Sequence, residues 1–272
     1  MMAPVDAERD RSFPVRHPYL FTALLELAVL TVFILAGAVV QTSGLPDLVL
    51  PFAANIILAV VALALLVRFG WLGKVGVTAP LTRRQLALYL VPFALVLYFL
   101  ALGIEPVKPG LAISYLFMTL LIGFAEEAVY RGLMLQSLLA RGIWQAAIIS
   151  SIVFGLTHGL NALAGSDLPS VLLQLAYSTA VGFAYAALMI RVPVIWPLIL
   201  VHFLTDFAAF LSTGGVYSEG TSTSDVIESI VVTLVFTAYG LYLLTSRRVR
   251  GVSSPTQHPA IDVAEGHSSS RA

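Results

Sequence analysis

The stretch LAISYLFMTLLIGFAEEAVYRGLMLQSLL, residues 111–139, is apolar for long enough to cross a bilayer, yet it carries Glu126, Glu127 and Arg131. A helix needs about 20 residues to traverse the hydrocarbon core. The apolar residues run on without the strict alternation of a barrel strand, and the run is too long for one. A membrane helix with ionisable groups inside it is the reading that fits. Working outward, runs of spanning length recur at 19–41, 47–69, 85–103, 144–160, 169–190, 193–213 and 225–246. The expected fold is therefore all-α: a polytopic membrane protein, a bundle of about eight transmembrane helices.

Composition agrees. Of 272 residues 58% are hydrophobic and 11% charged, with a mean hydropathy of +0.92, whereas soluble domains are typically about 25% charged. The formal net charge is zero, which argues against nucleic acid as a partner; membrane lipid is the expected surrounding. The absence of cysteine excludes disulfides, thiolate chemistry and cysteine-held metals. The first run is too long for a signal-peptide core and is read as an uncleaved span. The expected organisation is a polar N-terminal tail (1–17), one transmembrane domain (18–250) and a disordered C-terminal tail (251–272) whose His258 and His267 take no role. The sixth and seventh runs are separated only by RVP, 191–193, with Pro193 expected to open the seventh helix.

Basic residues set the orientation. With the N-terminus inside, the cytoplasmic segments hold Arg9, Arg11, Arg16, Arg68, Lys74, Arg83, Arg84, Arg141, Arg191, Arg247, Arg248, Arg250 and Arg271, against Lys108 alone outside. Both termini are then cytoplasmic. The remaining basic residue, Arg131, lies within a span. No internal repeat of the kind that builds transporters is visible.

Charge at membrane depth costs roughly 2.5–3.5 kcal/mol per residue on insertion scales, so such groups usually pair and face a protein interior. The set here is Glu126, Glu127 and Arg131 in the fourth run, His158 in the fifth, and His202 with Asp206 in the seventh. Glu26 and Glu228 lie closer to helix ends, within reach of the interface. On a helix of 3.6 residues per turn, Glu127 and Arg131 share a face and can offset each other. Glu126 is turned away by roughly 100° and is left free. His202 and Asp206 are again four apart. Each pair has a plain structural reading, as glue between helices. A single polar site shared by three helices is favoured over three separate costly devices. Phe154, four residues before His158, reads as a packing residue, and Ser150 and Ser151 as small packing residues rather than nucleophiles. Two histidines, a free glutamate and an aspartate can activate water for hydrolysis or hold a divalent metal such as zinc. The same groups would also serve ion or proton passage. The soluble zinc-protease pattern, His-Glu-x-x-His, is absent.

Three motifs occur in order: EEAVYR at 126–131, FGLTH at 154–158 and HFLTD at 202–206. The set resembles the CAAX-protease and bacteriocin-processing (CPBP/Abi) family of intramembrane proteases over about residues 111–210. The resemblance implies peptide hydrolysis dependent on glutamate. Glu126 would be the general base, His158 would help activate water, and His202 with Asp206 would stabilise the oxyanion. Glu127, Arg131 and Phe154 would support the site. Members that cut prenylated C-termini typically carry Asn at the last motif position, where this chain has Asp206, as do many bacterial relatives. An ionised carboxylate cannot donate to an oxyanion, so Asp206 would be protonated, orient His202 or bind a metal. In that case Glu126, His158, His202 and Asp206 are the candidate ligands. The expected partner is a membrane-bound peptide or protein substrate. Arg outnumbers Lys, which points to a GC-rich bacterial source and its plasma membrane. The alternative function is a non-enzymatic membrane adaptor or bacteriocin-immunity protein, with an ion or proton carrier as a third reading.

Overall fold

A computed structural model describes residues 12–215 and 221–246. Among these residues all regular structure is helical, and eight helices are long and apolar enough to cross a membrane: α1 (Pro18–Ser43), α2 (Val49–Arg68), α3 (Arg83–Ala101), α4 (Pro109–Arg141), α5 (Ile143–Ala162), α6 (Leu168–Arg191), α7 (Trp196–Thr213) and α8 (Thr223–Thr245). The chain is an all-α, polytopic integral membrane protein. Its lipid-facing apolar side chains need no soluble-type core, because hydrocarbon is the solvent there, and each helix satisfies its own backbone.

The helix ends follow local chemistry. Pro18 and Pro109 open α1 and α4, where a missing N–H costs nothing. Thr82 with Gln85, and Ser222 with Asp225, form capping boxes at α3 and α8. Gly214 ends α7 with φ +70, a left-handed turn that suits glycine. Asp167 caps α6, accepting from the Ser170 backbone N–H at 3.1 Å and its hydroxyl at 2.6 Å. These bonds hold its carboxyl below the usual range.

Two details depart from the sequence reading. Pro193 does not open α7: residues 192–195 form an irregular turn and Pro197 stands in the first helical turn. The turn is fixed from outside, by the Ile195 N–H donating to Val75 O at 2.9 Å and the Trp196 indole donating to Ala79 O at 3.1 Å. The segment 70–79 is thereby tied to the bundle, with Trp71 and Val75 fully buried. Part of the polar tail assigned to residues 1–17 is also built into the fold, as a short helical turn at Phe13–Arg16 that buries Pro14. Residues 1–11 and the tail 251–272, with His258 and His267, lie outside the described residues.

The hub is α4, which packs against α1, α2, α5, α6 and α7. Residues 127–135 are buried without interruption, as a helix surrounded on all sides must be. This segment is also not an ordinary α-helix: α-helical geometry from Pro109 to Glu126 gives way to a π-helix over Glu127–Met134. Such widened turns recur at functional sites. Glycines bring the neighbours close. A Cβ on Gly123 would lie 3.0 Å from Phe203 N of α7, and one on Gly155 would overlap Thr179 Oγ1 of α6. Small residues let membrane helices approach in this way.

Candidate active site

The π-helical step presents Glu126 and Glu127 to α7. Glu127 is fully buried and Arg131 is 2% exposed, with Arg131 Nη1 3.3 Å from Glu127 Oε1. The same oxygen accepts from His202 Nδ1 at 2.8 Å. One carboxylate therefore ties α4 to α7 and neutralises the guanidinium at once. Because a carboxylate oxygen without its proton only accepts, Nδ1 of His202 carries the hydrogen in this contact. The other ring nitrogen, Nε2, lies 3.6 Å from Glu126 Oε2 and 3.6 Å from Asp206 Oδ2. His202 is thus faced by three carboxylates. The exposure of the side chains rises from Glu127 at 0% through Glu126 at 18% to Asp206 at 28%, so the site has a sealed floor and a mouth beside Asp206. Glu126 Oε2 is itself buried and without a hydrogen-bond partner.

His158 enters from α5, where the α-helix ends at Thr157 and a 3₁₀ turn begins. Its Nδ1 lies 3.0 Å from Phe154 O. A backbone carbonyl can only accept, so Nδ1 holds the hydrogen and Nε2 is left as an acceptor. Phe154 is more than packing. Its ring lies edge-on to His158 at 5.0 Å and to His202 at 6.3 Å, so one phenyl group stands between both imidazoles. The two histidines, from α5 and α7, thus share one aromatic neighbour.

Arg131 is held by aromatic faces as well as by charge. Its guanidinium carbon lies 4.3 Å from the Phe154 ring centroid, 5.5 Å from Tyr185 and 6.0 Å from Tyr130, an arrangement that favours a desolvated cation. Sequence reasoning missed Tyr185, a residue of α6 whose ring is also 6.1 Å from His202. Nothing in the apolar stretch around it marks it out. It also missed Gly182, where a Cβ would lie 2.9 Å from the Phe154 ring and 3.4 Å from Arg131 Nη2. Ser150 and Ser151 donate back to Ala146 O and Ala147 O of their own helix, which leaves them occupied as packing residues. Glu26 does not reach for an interface. Its carboxyl oxygens lie 2.7 Å from Thr157 Oγ1 and 3.2 Å from Tyr130 Oη. Glu228, the other carboxylate expected at the membrane surface, accepts from Tyr98 at 3.1 Å.

The candidate zinc ligands do not converge on one point. Among the described residues no group of three or more His, Cys, Asp or Glu side chains is placed to hold a metal ion, and His202 gives one ring nitrogen to Glu127. The donor set as it stands is suited to proton transfer.

Residues 108–208 match the family model described as Rce1-like, type II CAAX prenyl endopeptidase. The matched segment is similar to that family over about a third of the chain. It runs from the start of α4 into α7 and contains all three motifs, consistent with the CPBP/Abi resemblance. No curated protein and no solved structure matches the chain. Within the matched segment lie Glu126, Glu127, Arg131, Phe154, His158, His202 and Asp206, together with Tyr185 and Gly182. Glu26 lies outside it.

Proposed function

We propose that this protein is an intramembrane endopeptidase that hydrolyses a peptide bond of a membrane-associated peptide or protein, with Glu126 as the base. The observation that carries this reading is the buried Glu126 oxygen without a hydrogen-bond partner, 3.6 Å from His202 Nε2. Glu127 Oε2 and the Arg131 Nη atoms also lack hydrogen-bond partners, but Glu127 and Arg131 are ion-paired with each other through Glu127 Oε1 at 3.3 Å.

A water held between Glu126 and His158 is the nucleophile. His158 Nε2 accepts one of its hydrogens and Glu126 removes the other as the oxygen attacks the carbonyl carbon. The new C–O bond pushes the carbonyl π electrons onto oxygen. His202, carrying a hydrogen on each nitrogen, meets that oxyanion through Nε2–H, while Glu127 and Asp206 fix the ring. The proton on Glu126 then passes to the amide nitrogen, the C–N bond breaks, and an amine and a carboxylic acid leave. Asp206 serves as an orienter of His202, a role an amide could also fill. No step is routed through a metal.

We further infer a bacterial plasma membrane with both termini on the cytoplasmic side, from the distribution of basic residues. The test of the activity is a comparison of new protein N-termini in host membranes that carry wild type or Glu126→Ala at matched levels. Termini found only with wild type are the expected result and name the substrate. Equal sets, with both proteins inserted and folded, would assign the chain to the adaptor class instead.

A further inference from the structure

One intramembrane carboxylate has no part in the chemistry just described. Glu26 is the ninth residue of α1, half-buried, and far from either end of a 26-residue helix. Its Oε1 lies 2.7 Å from Thr157 Oγ1 and its Oε2 3.2 Å from Tyr130 Oη. The two hydroxyls are 2.7 Å from one another. These three contacts close a ring among α1, α4 and α5.

The position of the ring in the chain is what gives it consequence. Thr157 is the last residue of the α-helical part of α5 and immediately precedes His158. Tyr130 lies within the π-helical segment and immediately precedes Arg131. Its ring is 2% exposed and meets Phe154 edge-on at 5.0 Å, the same phenyl group that stands between His158 and His202. A shift of Thr157 or Tyr130 is therefore carried by one peptide unit to His158 and Arg131, and by one ring contact to Phe154.

We propose that Glu26 is a positioning residue for this site: through Thr157 and Tyr130 it holds the end of α5 and the π-helical segment of α4 in the register that presents His158. The inference rests on the protease reading only for its effect on rate, because the geometric effect on His158 stands without it. A hydrogen inventory identifies the conservative replacement. Three ring contacts need three hydrogens. Tyr130 and Thr157 supply one each, and the third comes from a carboxylic acid or an amide at position 26. Glutamine can close the same ring, with Nε2–H donating to Tyr130, Tyr130 to Thr157 and Thr157 to the amide oxygen. Leucine cannot. A side chain that only glued α1 to the bundle would be replaceable by any group of similar bulk.

The experiment uses the full chain, labelled with nitrogen-15 in its histidine rings and placed in lipid nanodiscs. In wild type and Glu26→Gln, His158 should give the ring spectrum of a single tautomer with Nδ1 protonated. In Glu26→Leu and in Tyr130→Phe, which removes one hydroxyl, it should give a mixture of tautomers. An unchanged His158 spectrum in both of the latter variants overturns the proposal, and Tyr130→Phe decides the matter if Glu26→Leu does not fold. In parallel, the N-terminal comparison in membranes should show cleavage retained by Glu26→Gln. Glu26→Leu should lower it about 100-fold, the scale expected when catalytic geometry is displaced by about 1 Å. If wild type generates no termini, the protease reading fails while the ring spectra still decide the positioning role.

Discussion

Glu127 is the residue on which the polar floor turns, because one of its oxygens serves both Arg131 and His202. Removing one partner of a buried ion pair leaves a charge without compensation, a loss of about 3–5 kcal/mol. Glu127→Ala should therefore lower the unfolding midpoint in detergent strongly. Glu127→Gln keeps an acceptor and should lower it less. Equal loss from both would mean that the pair does not carry the fold. Asp206 is different, since it is the most exposed of the three carboxylates and touches His202 only at 3.6 Å. Asp206→Asn should retain cleavage, and elemental analysis of purified wild type and His158→Ala should find no stoichiometric metal in either. One zinc per chain, lost in His158→Ala, would instead make these side chains ligands. The carboxylate–arginine pair was legible in the spacing of residues 126–131 because four residues on any helix return near the same face. The choice of Glu127 rather than Asp206 as the close partner of His202 was not, since it is set by where α7 crosses α4.

At the scale of elements, the site depends on two close crossings and one irregular turn. A Cβ on Gly155 would overlap Thr179 Oγ1 and lie 3.0 Å from Leu175 O. Overpacking of this kind costs about 1–3 kcal/mol. Gly155→Ala should destabilise the protein by that amount in detergent unfolding. Thr179→Ala added to it should restore part of the loss, because the hydroxyl is a side-chain obstacle while the carbonyl is backbone. Gly110→Ala, where a Cβ meets nothing within 4 Å, is the control. If Gly155→Ala matches the control, the close approach of α5 and α6 has no energetic weight. The spans themselves follow from run length and hydropathy, and their observed ends fall within a few residues of the apolar runs. The π-helical turn does not follow from any of these. Its residues have ordinary helical character one by one, and the wider turn is stabilised by the partners that Glu127, Tyr130 and Arg131 find on other helices.

At the scale of the molecule, α4 is surrounded by five other spans, and this enclosure lets a guanidinium and a carboxylate persist at membrane depth. The basic residues outside it predict a sidedness that can be read directly. A fluorescent reporter that matures only in the cytoplasm should be bright when fused to the C-terminus, and a periplasm-dependent phosphatase at the same place should be inactive. The opposite pair of results would invert the bundle and with it the side from which the mouth beside Asp206 is reached.

By itself the sequence determined what is local: eight runs long enough to span, the three motifs, and the pairing of charges four residues apart. Hydrophobic length and helical periodicity act along the chain, so they can be read along it. Tertiary structure decided the rest. It joined His202 to Glu127 across 75 residues and Glu26 to Thr157 across 131, set Tyr185 and Phe154 around Arg131, and aimed each imidazole. Those choices belong to helix crossings, and a hydrogen bond between two helices depends on packing that neither helix encodes alone.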